Sequence, residues 1–306
     1  MKKMISLILA LCMVFALCAC GSKSNASNTN LSAAYDKIMA SLDYDDSGLP
    51  VLKVATSPDF APMEFTDLDK EGDQIVGFDI ILAKYLGKEL NVKIEICPMS
   101  FDACMAAVQT GTVDMAMSGF SWTEDRAENF LITDWYKAGE NESEQAVITL
   151  AGKGEALAEP SDFSGLKVGA QGGSLQKQLT EETLVPEGAE CVLYENLNDA
   201  VTALLTGKID AISVAVGNGD AFISANDGKI EFTSFQYDVP EKYKNNVILI
   251  NKNNQELFDL VNPVLINAKA DGCKMYDEWY DACKVYAGIS SLDELGYDDD
   301  GNKITG

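Results

Sequence analysis

The chain has 306 residues, a net charge of −25 at neutral pH and no histidine. So acidic a protein is excluded as a nucleic-acid binder, because that function requires basic patches. The lack of histidine excludes Ser-His-Asp and Cys-His catalysis and most zinc sites, and we predict neither a metal nor a cofactor. The sequence contains no Walker A pattern, and Gly217-Asn-Gly219 lacks the third glycine of a dinucleotide-binding fingerprint.

The first residues have the layout of an export signal, with a basic start, a short apolar run and a small-residue cleavage site. Leu17–Cys20 is similar to a bacterial lipobox, in which the cysteine after the cleavage site carries a lipid. We therefore expect a signal peptide over residues 1–19 and lipid attachment at Cys20. A flexible linker is expected over residues 20–48, with a short helix near residues 32–42. A plain secretory signal with an unmodified Cys20 is the alternative.

Five cysteines remain beyond the lipobox, and an odd number excludes a fully paired disulfide framework. An exported protein permits disulfides without requiring them. The sequence predicts mostly reduced, buried thiols at Cys97, Cys104, Cys191, Cys273 and Cys283.

Two stretches of the sequence, residues 102–118 and 198–214, repeat each other. Each has the pattern of an amphipathic helix, a Thr-Gly stop and a short apolar strand that an aspartate opens. We interpret the two aspartates, Asp114 and Asp210, as structural turn or cap residues. Alternation of helices and strands implies parallel sheets with right-handed crossovers, so the repeat predicts two α/β lobes.

The boundaries of the lobes follow from two apolar, β-prone stretches at residues 145–150 and 246–250. If both cross between the lobes, they form a two-strand hinge. The first lobe then comprises residues 49–145 plus 247–306, and the second comprises residues 146–246.

The chain's one arginine, Arg126, follows the repeated strand of the first lobe. Ligands of open parallel sheets bind beyond the carboxyl ends of the strands. Ser121 and Glu124 fit a capping box, which places the start of a helix near Thr123 and Arg126 in its first turn. A cation at a helix N-terminus is disfavoured by the helix dipole. The position of Arg126 is favourable if its guanidinium and the free backbone N–H groups together face a carboxylate. The alternative is a local ion pair with a nearby acid, namely Glu124, Asp125 or Asp134.

Five motifs extend this picture, at Val54–Phe65, Ile75–Ile80, Ser118–Arg126, Lys167–Ser174 and Ala270–Gly272. In their order and spacing they resemble the polar amino-acid-binding proteins of ABC importers, a family that includes histidine- and glutamine-binding proteins. The resemblance covers nearly everything from Leu49 to about Gly288. It implies a two-lobe periplasmic-binding-protein fold, each lobe a mainly parallel sheet flanked by helices, closing on a ligand between the lobes.

The resemblance also implies roles for individual residues of the first lobe. Arg126 matches the arginine that grips the α-carboxylate of the ligand, and Ser121 matches the hydroxyl and N–H beside it. Gly119 matches a backbone carbonyl that accepts from the α-amino group. Phe60 matches an aromatic cover of the ligand side chain and Phe101 a second apolar wall, with core packing as the alternative for both.

In the second lobe, Gly173 and Ser174 match a contribution from a helix N-terminus, and Gln171 of the same motif is a further predicted contact. Trp122 replaces a usually aliphatic residue and is either buried or part of the pocket rim. Ser57 stands where several relatives have an aspartate that reaches the ligand side chain.

One departure concerns the α-amino group, which many members bind with an aspartate of the second lobe. Ala215 occupies that position here. A buried ammonium without a carboxylate partner is costly. Either another acid takes the role, such as Asp59, Glu64 or Asp220, or the ligand lacks a standard α-amino group.

These observations predict an extracytoplasmic, lipid-anchored and monomeric solute-binding protein that is not an enzyme. It would capture a small carboxylate-bearing ligand, an amino acid or related zwitterion, and deliver it by hinge closure to an ABC permease. The alternatives are a lyase-like enzyme or a surface sensor on the same fold.

Overall fold

The computed structural model describes residues 32–68, 70, 72, 74–138, 144–298 and 300–304. Within them, helices and strands alternate through much of the chain. The helices are α1 (Ala33–Ser41), α2 (Phe78–Leu90), α3 (Phe101–Thr110), α4 (Glu124–Asn129), α5 (Leu175–Leu179), α6 (Leu197–Leu205), α7 (Val216–Ala225), α8 (Gln255–Ala268) and α9 (Lys274–Tyr286). The strands are β1 (Val51–Thr56), β2 (Asp59–Phe60), β3 (Glu64–Asp67), β4 (Gln74–Val76), β5 (Lys93–Pro98), β6 (Met115–Ala116), β7 (Phe130–Ile132), β8 (Lys137–Ala138), β9 (Gln145–Leu150), β10 (Lys167–Gln171), β11 (Glu190–Tyr194), β12 (Ala211–Ala215), β13 (Ile230–Gln236), β14 (Asn245–Asn246) and β15 (Leu249–Asn251).

A five-stranded sheet forms the centre of each lobe, in the orders β5-β1-β6-β15-β7 and β11-β10-β12-β9-β13. In both sheets the first three strands run parallel, and the last two strands join antiparallel. The two-lobe α/β fold with mainly parallel sheets is confirmed, with one strand in each sheet, β15 in the first and β9 in the second, running against the other four. The reason is that β9 and β15 enter their sheets after the chain crosses between lobes, without the helical crossover that parallel neighbours need.

The chain crosses between the lobes in β8 and β14, which pair with each other antiparallel. The predicted hinge stretch 145–150 forms β9 inside the second sheet. The predicted stretch 246–250 meets β14 only at Asn246 and continues into β15 inside the first sheet. Their apolar character comes from burial in the two cores. The crossing strands themselves are largely polar, so hydrophobicity pointed to the sheets beside the hinge rather than to the hinge.

The two repeated aspartates have the same structural role in both lobes. Asp114 accepts from the backbone N–H of Lys53 at 2.7 Å and donates its own N–H to the Lys53 carbonyl at 3.0 Å. Asp210 makes the same pair of bonds with Lys167, both at 2.9 Å. Each aspartate thus joins the start of its strand to the neighbouring parallel strand, β1 or β10, and the interpretation of both as structural residues is right.

The segment predicted as a linker packs against the first lobe from residue 33 onward. Helix α1 buries Tyr35 in the main core of that lobe, where its ring lies 4.9 Å from the ring of Tyr286. Leu42 is buried in the same core. The helix was predicted near this position, but the prediction of a flexible tether is wrong for α1, because its apolar face has a partner. Residues 1–31, with the predicted signal peptide and Cys20, lie outside the described residues.

The five cysteines beyond Cys20 are all free thiols, as predicted. Cys104 and Cys283 are buried, whereas Cys97, Cys191 and Cys273 are half-buried, so the expectation of burial holds for two of the five.

Every helix within the described ranges is too short or too polar to span a bilayer.

Gly77→Ala is expected to destabilise the first lobe strongly. Gly77 precedes α2 with a φ of 126°, and a Cβ there would lie 2.3 Å from the carbonyl oxygen of Met63. Because the next residue, Phe78, is fully buried, the start of the helix cannot shift without disturbing the packing of the core. We expect the free energy of unfolding to fall by roughly 3 kcal/mol or more. In urea unfolding, the control Gly111→Ala, with positive φ but open space around its Cβ, should lose only about 1–2 kcal/mol. Equal losses would contradict a steric cause at Gly77.

Candidate functional site

Arg126 lies in the first turn of α4, as predicted, after the loop that follows β6. The N-cap is Thr123, whose hydroxyl accepts from the Arg126 backbone N–H at 3.3 Å. The predicted capping box is wrong, because the Glu124 carboxylate turns away to accept from the Tyr243 hydroxyl at 2.6 Å. The helix start is right even though its cap is Thr123 rather than Ser121.

The guanidinium of Arg126 is buried and contacts both lobes. Nη1 donates to the Ser121 carbonyl at 2.5 Å, and Nη2 donates to the Gly173 carbonyl of the second lobe at 3.0 Å. The group lies over the rings of Phe101 and Phe120, 5.5 and 5.2 Å from their centroids. Arg126 therefore lines the cleft and also forms a hydrogen bond across it to the second lobe.

No acid among the described residues forms an ion pair with Arg126, so the alternative of a local salt bridge is not found. Glu124 pairs with Lys242 instead, and Asp134 pairs with Lys269 at 3.0 Å. Burial lowers the pKa of Arg126 to about 10, which still leaves it charged at neutral pH. A buried guanidinium whose hydrogen bonds go to neutral carbonyls attracts an anion strongly, because the low local dielectric strengthens the interaction.

A cavity lies between the lobes beside this guanidinium and encloses about 20 Å³, room for roughly one water molecule. Six predicted contacts line it, namely Phe60, Phe101, Gly119, Ser121, Arg126 and Gln171. An amino acid has many more atoms than a water molecule. Binding one therefore requires the lobes to separate or the lining side chains to move.

Four predicted contacts lie around this cavity rather than in its lining. Ser57 is behind it, donating its N–H to the Ser118 hydroxyl at 2.9 Å. Gly173 contributes its carbonyl to Arg126, and Ser174 caps α5 by accepting from the Lys177 N–H at 3.0 Å. Trp122 faces the hinge, where its ring stacks on Tyr243 with centroids 6.4 Å apart. Ser57, Gly173 and Ser174 thus lie next to the cavity, whereas Trp122 lies beside the hinge.

Sequence reasoning missed four lining residues, Ser118, Gln145, Leu175 and Gln176. Gln176 donates from Nε2 to Gln145 Oε1 at 2.7 Å, so two amides form part of the second-lobe wall. Gln145 is the partner of Ala215 in the sheet register, which no local pattern reveals. Gln176 was within reach of sequence analysis, because it stands in the first turn after the predicted N-cap Ser174.

The acids proposed for the α-amino group are not among the residues that line the cavity. Two of them bond to lining residues: Glu64 accepts from the Ser118 hydroxyl at 2.5 Å, and Asp59 accepts from Gln171 at 3.0 Å. Asp59 also accepts from the N–H of Leu197 in the second lobe at 2.7 Å. Burial raises the pKa of Asp59. Asp220 is half-buried on α7, and burial raises its pKa too.

Glu64 and Asp79 form a buried acid pair under the loop that carries Gly119. Glu64 accepts from the Ser118 hydroxyl at 2.5 Å, and Asp79 accepts from the Gly119 N–H at 3.0 Å. Burial, with the charge of Asp79, raises the pKa of Glu64 well above its usual value, and burial raises the pKa of Asp79 to about 6. Two such acids share a proton more easily than they ionise together. The pair supports the loop from behind.

Residues 52–282 match the family described as bacterial extracellular solute-binding proteins, family 3. The arginine-binding extracellular protein ArtP of Bacillus subtilis is 29% identical over 227 residues, 74% of this chain and 78% of ArtP. The histidine-binding periplasmic protein of Salmonella typhimurium is 26% identical over 246 residues, 78% of this chain and 90% of its own.

Among solved structures, the amino acid ABC transporter substrate-binding protein AbpA of Streptococcus pneumoniae, bound to L-arginine, is similar with a TM-score of 0.70. It is 28% identical and covers 84% of this chain and 100% of its own. The named relatives bind solutes, and none is described as an enzyme. Because the family match spans most of the sequence, this chain belongs to family 3 of the bacterial extracellular solute-binding proteins, and the prediction that it is not an enzyme is confirmed.

Proposed function

We propose that this protein captures an amino acid between its lobes and that Arg126 grips the α-carboxylate. The observation that carries the proposal is the buried guanidinium, which has no acid partner among the described residues and donates to one carbonyl in each lobe. A planar guanidinium fork matches a carboxylate with two parallel hydrogen bonds. Arginine and histidine, the ligands in the names of the relatives, are the first amino acids to test.

Closure of the cleft follows from the same contacts. The Nη2 bond from Arg126 to Gly173 joins the lobes, and a carboxylate arriving at Arg126 takes over one or both of the donors. The ligand then bridges the lobes itself and shifts the protein toward a closed state that an ABC permease recognises. The crossing strands β8 and β14 are the hinge of this motion.

A thermal-shift screen of the free protein against the twenty amino acids tests the proposal. A ligand present at 100 times its Kd should stabilise the folded state by about 2.7 kcal/mol, which raises the Tm by several degrees. We expect at least one L-amino acid to do so and its α-carboxamide derivative to fail, because the carboxylate is the group that Arg126 holds. Stabilisation by none of the twenty would contradict the proposal.

We further propose that the mature protein is a monomer attached to the membrane by a lipid at Cys20, facing the extracytoplasmic side. The lipobox-like Leu17–Cys20 supports the lipid attachment and the extracytoplasmic side. Metabolic labelling with a fatty-acid analogue is expected to mark the wild-type protein and not Cys20→Ala. Equal labelling of both, or of neither, would contradict attachment at this residue.

A further inference from the structure

Residues 119–122, which we call the cleft loop, lie between β6 and α4, and two of them line the cavity. The loop runs antiparallel beside the crossing strand β14 and the residue after it. The Val247 N–H donates to the Phe120 carbonyl at 2.9 Å, and Ser121 pairs with Asn246 in an isolated β-bridge. The cleft loop is therefore bonded directly to one of the two crossing strands.

Gly119, the first residue of the cleft loop, is held by a hydrogen bond on each side. Its N–H donates to Asp79 Oδ2 at 3.0 Å, and its carbonyl accepts from Asn246 Nδ2 at 2.9 Å. Gly119 has a φ of 55°, and a Cβ there would lie 2.9 Å from the ring of Phe60. Because glycine has little conformational preference of its own, the two bonds determine how its peptide groups are oriented.

Tyr136 joins the two partners of Gly119 to each other. This residue directly precedes β8, and its hydroxyl donates to Asp79 Oδ2 at 3.1 Å. Its N–H donates to the carbonyl of Asn246 in β14 at 3.0 Å. Gly119, Asp79, Tyr136 and Asn246 thus form a closed network of four hydrogen bonds, which we call the hinge network. The three side chains in it are buried.

The side-chain amide of Asn246 has one orientation. Its Nδ2 faces the Gly119 carbonyl, which accepts and does not donate, so Oδ1 is directed elsewhere. Oδ1 is buried, and no residue in the described ranges donates to it. A buried acceptor without a donor costs free energy, which offsets the gain from the Nδ2 bond. The amide therefore contributes little to stability, and its main effect is to orient Gly119.

We propose that Asn246 and Tyr136 are positioning residues that couple the hinge to the cleft. They hold Gly119 in the geometry that binds the amino acid, so a rotation of β8 and β14 moves the peptide groups of Gly119 with them. Neither Asn246 nor Tyr136 lines the cavity, so both act through Gly119 rather than on the ligand. The inference rests on the proposed function, because it takes the cavity as the binding site and β8 and β14 as the hinge.

Calorimetric titration of Asn246→Leu tests the coupling, because leucine keeps the volume of the side chain and removes the donor. The probe is L-arginine, or L-histidine if the wild-type protein binds only that amino acid. We expect a loss of about three- to tenfold in affinity. Asn245→Leu is the matched control, since this neighbouring side chain in β14 has no hydrogen bond to a described residue. Wild-type affinity in Asn246→Leu, or an equal loss in the control, would overturn the inference.

Tyr136→Phe removes the bond to Asp79 and opens the hinge network at a second place. We expect a similar loss of affinity, and the double variant with Asn246→Leu should lose no more than the larger single loss, because either change alone opens the network. Losses that multiply would show two independent effects and would overturn the coupling. Tyr276→Phe is the control and should bind as wild type does, since its buried hydroxyl has no partner among the described residues.

Hydrogen exchange measured by NMR gives a readout that needs no ligand. The Gly119 N–H bonds to Asp79, on the opposite side of the residue from Asn246. It should exchange about tenfold faster in Asn246→Leu than in wild type or Asn245→Leu. The Met117 N–H, which donates to the Ala55 carbonyl at 3.0 Å in the sheet, should be unaffected. Unchanged exchange at Gly119, or an equal increase at Met117, would mean that Asn246 does not position the loop.

Failure of this inference and failure of the proposed function give different results. If Arg126→Ala retains wild-type affinity, the proposed function fails and the inference fails with it. If Arg126→Ala loses binding while Asn246→Leu and Tyr136→Phe bind as wild type does, only the coupling between hinge and cleft fails.

Discussion

Arg126→Ala is expected to weaken amino-acid binding by about 2–5 kcal/mol, which corresponds to roughly 30- to 5,000-fold in Kd. The guanidinium is buried, and the carboxylate that binds it gives up its own hydration. Without Arg126 the carboxylate would be left in the cleft with only neutral donors around it. Calorimetric titration with the amino acid that stabilises the wild-type protein most is the measurement.

Arg126→Lys separates charge from geometry at the same position. A lysine keeps the positive charge but loses the planar fork that donates two parallel bonds, so we expect recovery of only part of the affinity. Lys153→Ala is the control for net charge, because Lys153 is an exposed cation of the second lobe, remote from the cavity lining. It should bind as wild type does. Full affinity in Arg126→Ala would show that the carboxylate is held elsewhere.

The sequence predicted the parts of the site that local chemistry determines. Arg126 stood out as the one guanidinium among the 23 Lys and Arg residues, and the repeat placed it after a strand end. Asp114 and Asp210 were correctly interpreted as structural because both occur in the same local context. In each case the information lies within a few residues of the chain.

The features that sequence analysis missed depend on contacts between distant segments. Asp59 meets Gln171 and Leu197 only because the lobes face each other, and no periodicity records that contact. The predicted hinge stretches overlap the crossing strands only at Asn246, because apolar runs indicate burial and the crossing strands are polar. Trp122 was ambiguous for a related reason. Its partner, Tyr243, comes from the segment that returns to the first lobe.

Glu64→Gln is expected to stabilise the protein above pH 6 and to flatten the dependence of its stability on pH. In the folded protein, burial raises the pKa of Glu64 and that of Asp79, the latter to about 6. Between about pH 4, where the unfolded carboxyls titrate, and the folded pKa values, the folded protein binds more protons than the unfolded chain. The free energy of unfolding therefore falls as pH rises through this window.

Glutamine at position 64 keeps an acceptor for the Ser118 hydroxyl and offers an N–H to Asp79, so one acid replaces two in the buried pair. Urea unfolding at pH 4.5, 6 and 8 measures the effect. At pH 8 the free energy of unfolding of the variant should exceed that of wild type by about 1–3 kcal/mol, and the difference should shrink toward pH 4.5. Glu187→Gln, at an exposed position, is the control and should show no such trend. A difference that is constant across pH, or a wild type that is the more stable protein at pH 8, would contradict a buried pair that shares a proton beneath Gly119.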